Sequence, residues 1–235
     1  MRSVVLAACQ GEPFIGEQLD SILRQLEPED EVIVSDDAST DRTLAMVAQR
    51  RDRRIRILSN ARRVGYVANF ARAIGHSRGD HVYFSDQDDV WLPDKVATME
   101  AVLQTNDCVA TDATVVDERL NVMHRSYFEY RDARSFSRLA IWLKPPIIGA
   151  TLACRREYLQ RLLPFPIGVP HDFWITFNAV VDGELAVIHK PLILYRRHGN
   201  AASVTATGVR RSLGTQATER ARLLVAMLRH RLAQR

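Results

Sequence analysis

The sequence lacks the glycine motifs that most often hold phosphates: no GxGxxG and no GxxxxGK[ST] follows any apolar run, which argues against a dinucleotide-binding fingerprint and a P-loop. Cysteine is scarce. Cys9, Cys108 and Cys154 are widely spaced and odd in number, matching neither a disulfide framework nor a CxxC metal site, so reduced thiols in a cytoplasmic protein are expected. No apolar run approaches the roughly 20 residues that cross a bilayer. The most apolar later segment, LAIWLKPPIIGATLAC, is broken by Lys144 and a proline pair. The opening MRSVVLAAC runs straight into GEPF and is too short for a signal sequence, so it reads as a first buried strand. Aromatics do not interleave with the basic runs, and no finger, RRM or zipper signature occurs, which sets nucleic acid aside as a partner.

What is present is enough apolar material for a core, 46% of 235 residues, and a net charge of +4 that falls unevenly. Basic clusters occur at RRDRRIR (50 to 56), at ARR (61 to 63) and near the C-terminus, and suit phosphate-rich ligands or an anionic surface. Short apolar stretches alternate with longer segments of helical spacing, the pattern of an α/β fold with a mostly parallel sheet flanked by helices. SVVLAA, EVIVSD, IRIL, HVYFSD and CVATDATVVD read as strands. FIGEQLDSILRQL, YVANFARAIGHS and LPDKVATMEAVLQ read as helices, the first with Ile15, Leu19, Ile22, Leu23 and Leu26 on one face and the last with Pro93 in its first turn. In DDASTDRTLAMVAQR the helix is expected to be capped by Ser39 or Thr40, with Asp41 at the positive end of its dipole.

Glu118 to Lys144 is irregular and reads as a mobile loop. IIGATLACR then reads as a strand, REYLQRLL as a short helix, HDFWITFNAVV as an apolar helix, and LAVIHK and LILYRR as two short strands. The final stretch predicts a basic amphipathic helix with Ala217, Ala221, Leu224, Leu228 and Leu232 on one side, fit to meet anionic lipid, the domain or a second subunit in a homodimer. Three parts follow: 1–112, 113–204 as the second half of the same domain, and a helical extension over 205–235.

In open α/β sheets ligands bind beyond the carboxyl ends of the strands. There the sequence places Ala8-Cys9-Gln10-Gly11, Asp36-Asp37, and the acidic YFSDQDDVW. Asp86 and Asp88 lie two residues apart and point to one side of extended backbone. Carboxylates so crowded suit a Mg²⁺ or Mn²⁺ ion that leaves positions open for phosphate oxygens. They could share the ion, or one could bind it while the other orients a ribose hydroxyl; a solvated acidic turn is the plain alternative.

Taken in order, VVLAACQGEPFIGEQLDSILRQ, VIVSDDASTDRT and NARRVGYVANFARAIGHSRGDHVYFSDQDDVWLPDKV resemble the family 2 glycosyltransferases with the GT-A fold. GATLACRREYL, the HDFW segment and LYRRHGNAAS are similar to the rhamnosyltransferase-like branch, so the resemblance covers roughly residues 3 to 204. It implies that 1–112 binds a nucleotide-sugar donor and 113–204 carries the acceptor side and catalytic base. Asp36 or Asp37 would contact the base, Ala8 and Gln10 would line the nucleotide pocket, and Arg62 or Arg63 would meet base or phosphate. Cys9 stands where relatives often carry tyrosine. Asp86 and Asp88 would form the metal and sugar-nucleotide motif, with Asp89 as a further candidate. Asp172 resembles the catalytic base, against a plain N-cap role, and His198 a histidine that approaches the metal or diphosphate. Trp91 and Trp174 read as packing residues. The implied activity is an inverting, metal-dependent transfer from a UDP- or dTDP-sugar, with dTDP-rhamnose by analogy, to a glycan or lipid-linked acceptor in surface polysaccharide synthesis, at the cytoplasmic side of a membrane. Two other readings are a sugar-phosphate nucleotidyltransferase, whose glycine- and arginine-rich first loop CQGEP lacks, and a non-catalytic nucleotide-binding relative.

Overall fold

The computed structural model describes residues 1–199 and 213–233. The segment NAAS of HGNAAS and the boundary at 204/205 lie outside the described residues. In chain order the elements begin β1 (Arg2–Ala8), α1 (Ile15–Leu23), β2 (Glu31–Asp36), α2 (Thr43–Ala48), β3 (Ile55–Ser59), α3 (Tyr66–His76), β4 (His81–Asp86), β5 (Val90–Trp91) and α4 (Lys95–Leu103). They continue with β6 (Cys108–Val116), β7 (Val122–His124), α5 (Tyr127–Tyr130), α6 (Arg138–Leu143), a 3-10 turn at Gly149–Thr151, β8 (Leu152–Arg155), α7 (Arg156–Leu162), α8 (His171–Asp182), β9 (Leu185–Arg196) and α9 (Leu213–Ala233).

One sheet runs in the order β3-β2-β1-β4-β8-β6-β9-β5, with β7 paired to β6. The β3-β2-β1-β4 half is parallel, as are β6 and β9, while β8 inserts antiparallel between β4 and β6. β1 and β2 are buried on nearly every residue, as a parallel sheet covered on both faces requires. Val4, Val5 and Leu6 are fully buried against Ile15, Leu19 and Ile22 of α1 and Phe70 and Ile74 of α3, in one continuous core. Residue 112 falls inside β6, so the sheet is unbroken there.

Four expectations change. The stretch from Glu118 to Lys144 is ordered into β7, α5 and α6; the buried Asp112 carboxylate anchors it, accepting from Ser126 Oγ at 2.5 Å and from the Phe128 amide at 3.0 Å. LAVIHK and LILYRR form the single strand β9, with Pro191 at a register shift opposite Asp112 rather than at a break. Ser39 and Thr40 do not cap α2: both hydroxyls are turned to Gln10, and Asp41 instead accepts the Thr43 amide at 3.0 Å. Pro93 precedes α4, which starts after Asp94 in the left-handed region at φ 66.

β1 and β4 are also pinned at their outer end. The Gly79 amide donates to Ser3 Oγ at 2.8 Å, and a Cβ on Gly79 would lie 2.5 Å from the Arg2 carbonyl carbon. That neighbour is backbone and cannot swing away. Gly79→Ala is therefore expected to destabilise the fold by about 1–3 kcal/mol, read from denaturant midpoints at unchanged slope; a neutral substitution would contradict this register.

Candidate active site

The parallel register sets three loops side by side, since Ala8 is the partner of Asp36 and Ala7 that of Asp86. Loop one is then locked by Gln87. The Cys9 amide donates to Gln87 Oε1 at 2.7 Å, and Gln87 Nε2 donates to the Cys9 carbonyl at 2.9 Å. A Cβ on Gly11 would lie 2.2 Å from Gln87 Oε1, so only glycine leaves room for this clamp. Gln10, at φ 55, ties loop one to the second loop, accepting the Thr40 amide at 2.6 Å and donating to Thr40 Oγ1 at 3.0 Å. Ala8 is buried, and any ligand contact there must come through its backbone or the rim around it.

The two aspartates after β2 are not equivalent. Asp37 is committed to the chain: Oδ1 accepts from Asn60 Nδ2 at 3.0 Å and the Val64 amide at 2.8 Å, and Oδ2 accepts from the Gly65 amide at 2.9 Å. Asp36 Oδ2 accepts only from the Ser39 amide at 3.0 Å, and Oδ1 is buried with no hydrogen-bond partner among the described residues. The pair thus separates into a loop-holding Asp37 and an Asp36 with acceptor capacity to spare. Arg62 and Arg63 are exposed on the loop that Asp37 holds. The charge of Arg63 reaches Cys9, where it opposes the burial that pushes the thiol up.

The fourth loop is an acidic crowd. Asp88 Oδ2 meets His198 Nε2 at 2.8 Å, and the His198 ring lies 4.7 Å from Phe14 of loop one. Removal from water, then the charges of Asp88 and of Asp172, push the Asp86 carboxyl up to about 8. Asp89 is fully buried and also pushed up, by burial and then by Asp88 and Asp86; it accepts the Arg196 amide at 3.0 Å, and its Oδ2 has no partner among the described residues. Lys95 is buried beside it, donating to the Ala150 carbonyl at 3.2 Å with its ammonium 5.0 Å from the Trp91 ring. Burial lowers Lys95 to about 7 despite the opposing pull of Asp89. Asp89 is thus a structural partner within the loop wall.

Arg196 binds the two halves of the site together. Its Nε donates to the Asp88 carbonyl at 2.7 Å, Nη1 to the Glu118 carbonyl at 2.7 Å and Nη2 to Glu17 at 2.5 Å, while the guanidinium lies 4.8 Å from the Phe14 ring centre. Sequence reasoning did not single out this residue or Gln87. The arginine pair beside His198 and the amide between two aspartates were the available signals.

Asp172 stands in the first turn of α8, where Pro170 takes the cap position, so the N-cap role is excluded. One oxygen accepts its own neighbour's Phe173 amide at 2.8 Å. Its charge is felt by Asp86 and by Tyr127 of α5, which brings the second half of the chain to the acidic loop. Trp91 and Trp174 are buried packing residues, the latter donating to the Leu162 carbonyl at 3.1 Å.

Among the described residues no three His, Cys, Asp or Glu side chains are gathered in a ready-made ion cage. A divalent cation nevertheless suits the site: the contacting pair Asp88 and His198 offers oxygen and nitrogen donors, and an added positive charge favours the ionised form of Asp86, which burial and then the charges of Asp88 and Asp172 oppose. Metals bound this way commonly keep substrate phosphates as remaining ligands.

A parallel sheet half with an antiparallel insertion, and an acidic loop at the end of its fourth strand, is the GT-A type of α/β fold. The profile described as Glycosyl transferase family 2 matches residues 3–163, and the chain belongs to that family. It is similar to a dTDP-rhamnosyl transferase, RfbG, of Shigella flexneri: 27% identical over 215 residues, covering 83% of this chain and 72% of the relative. In structure it resembles S. aureus TarS 1-349 in complex with UDP-GlcNAc, with TM-score 0.76 at 18% identity over 97% of this chain and 66% of that one. It also resembles a mannosyltransferase, PcManGT, from Pyrobaculum calidifontis in complex with GDP-Man and Mn²⁺, with TM-score 0.65 at 21% identity over 97% and 70% of the two chains. The chain spans about two thirds of the length of the curated relatives it matches.

Two outcomes follow from this geometry. Gly11→Ala should weaken nucleotide binding by at least about tenfold while the fold persists, because only the Gln87 clamp on loop one is displaced; calorimetric titration with UDP and dTDP reads it. In the folded chain Asp86 keeps its proton up to about pH 8, whereas unfolded it ionises near the ordinary carboxylate value. The unfolded state binds fewer protons between those limits, so metal-free stability must fall as pH rises from about 5 to 8, and Asp86→Asn should flatten that slope in thermal melts.

Proposed function

We propose that the chain is an inverting, metal-dependent glycosyltransferase that moves a sugar from a UDP- or dTDP-linked donor to an acceptor hydroxyl in cell-surface glycan or polysaccharide synthesis. The carrying observation is the charge coupling of Asp172, from the second half, to Asp86 at the end of β4. Residues 1–112 would serve the donor and 113–204 the acceptor. The base would be met by Asp36 through its spare oxygen, with Ala8, Gln10 and Arg63 around the nucleotide. Asp88, Asp86 and His198 would hold Mg²⁺ or Mn²⁺, which when bound offsets the negative charge that grows on the departing diphosphate. Asp172 accepts the proton of the attacking hydroxyl, and one such carboxylate is all that a single displacement with inversion needs. Arg196 and Gln87 act by fixing the loops that carry these groups. Similarity to the dTDP-rhamnosyl transferase supports dTDP-rhamnose as a donor to be tested first.

The outer face of α9 supports a peripheral place at the cytoplasmic side of a membrane and a lipid-linked acceptor. Leu224, Val225, Leu228 and Leu232 are exposed beside Arg229, whereas Leu223 and Met227 of the same helix are buried. Among the described residues no helix is long and apolar enough to cross a membrane, so association would be by this face. The same face is available to a second copy in a homodimer. Three free cysteines suit a reducing compartment.

Asp172→Asn is expected to lower kcat by roughly 10²–10⁴ with donor affinity kept, and Asp88→Ala to abolish the metal response of donor binding. The product's anomeric configuration, read by NMR, should be opposite to that of the donor. Retention of configuration, or full activity of Asp172→Asn, would overturn the assignment.

A further inference from the structure

The first turns of α9 border a solvent-open cavity of about 520 Å³ against the chain just ahead of Asp172. Its walls include Tyr66 at the start of α3, Gly168 and Pro170 before α8, and Thr218, Glu219 and Arg222 of α9. Both flanks are joined along the chain to residues of the candidate active site, and the Tyr66 ring lies 5.7 Å from the ring of His171, the neighbour of Asp172. Tyr66 follows Gly65, whose amide Asp37 holds, and Pro170 lies two positions before Asp172. Such a volume falls in the range that encloses a small ligand.

Two features of the wall specify what would fit. Arg222 rests on bare backbone: Gly168 has φ +75, and a Cβ there would stand 2.3 Å from Arg222 Nη1. Its guanidinium has no hydrogen-bond or ion-pair partner among the described residues, whereas Arg220 and Arg231 of the same helix are bound to the Trp142 carbonyl and to Asp182. A guanidinium presents a planar fork of donors that matches phosphate. Glu219 shares the wall and is already engaged within the chain. Tyr66 leaves 45% of its surface open, an aromatic face with a polar tip, next to the hydroxyl of Thr218.

We infer that this cavity is the acceptor subsite and that the acceptor is a sugar bearing a phosphate group. The sugar ring lies on Tyr66, the phosphate meets Arg222, and a hydroxyl of the sugar is presented to Asp172. The inference rests on the transferase reading above and adds the acceptor's chemical class and the residues that select it. The phosphate can belong to a free phosphosugar or to a lipid diphosphate, and the two sources are separated by the probes.

The test titrates the full chain, saturated with UDP and Mn²⁺ so that the donor side is filled, with glucose 1-phosphate, glucose and farnesyl diphosphate. The two phosphorylated probes should bind and glucose should not, and Arg222→Glu should weaken them at least about tenfold while Arg222→Lys retains part of the affinity. Tyr66→Ala should weaken glucose 1-phosphate and leave farnesyl diphosphate unchanged. Tighter binding of farnesyl diphosphate identifies a lipid-linked acceptor, and tighter binding of glucose 1-phosphate a soluble one. Equal affinities for unmodified protein and Arg222→Glu, or displacement of the probes by UDP, would overturn the inference. Absence of UDP binding in the unmodified protein would instead fault the donor-site reading, and the Arg222 comparison is then made without nucleotide.

Discussion

The structure is organised around mutual repulsion. Asp86, Asp88 and Asp89 emerge from one strand end, and Asp172 is brought toward them from α8. No fold gathers four carboxylates without a cost, and this chain offsets part of it from within. Lys95 is buried beside Asp89, and Arg196 reaches the Asp88 carbonyl while its own amide serves Asp89. What remains falls on Asp86, whose protonation point is raised first by removal from water and then by the charges of Asp88 and Asp172, so a cation beside it is favoured. That residual demand for a cation, next to a place where a diphosphate can sit, is the physical basis of the functional reading.

The scaffold converts sheet register into chemistry. Parallel pairing of β1, β2 and β4 sets their loops level, the Gln87 amide then fixes loop one, and Asp37 fixes the loop before α3. The second half closes the site from the other side through the end of β9 and the residues just after it, which deliver Arg196 and His198 to the same aspartates. The candidate binding groups sit at strand ends and on the loops that follow them, and the base candidate at a helix start. Family membership follows from 161 matched residues, 3–163, while the base candidate Asp172 and the metal-ligand candidate His198 lie beyond that span. Their roles therefore depend on the geometry described above.

Much of this was legible in the amino-acid pattern. β2 and β4 fall where EVIVSD and HVYFSD placed them, because buried parallel strands are nearly pure apolar runs bounded by polar residues. The acidic loop and the Asp172 segment were likewise visible as local clusters. Long-range partners were not. LAVIHK and LILYRR read as separate strands, but β9 continues through Pro191, with its own extra residues taken up as register shifts on either side of Asp112. Ser39 and Thr40 had the right chemistry for a helix cap and were taken by Gln10, a residue 29 or 30 positions away. The irregular stretch after Glu118 has no periodicity to read, yet the buried Asp112 orders it through Ser126 and Phe128. Arg196 looks like any basic residue until its four partners, drawn from distant parts of the chain, are in place.

The central claim, that the acidic loop holds a divalent cation against a donor diphosphate, is tested most directly by crystals grown with UDP and Mn²⁺ and measured near the manganese edge. The account predicts one strong anomalous peak between the Asp88 carboxylate and the diphosphate, with Asp86 and His198 at its border and Asp172 facing the open side. Diphosphate bound at this loop without the ion, or an ion seated away from Asp86 and Asp88, would contradict it.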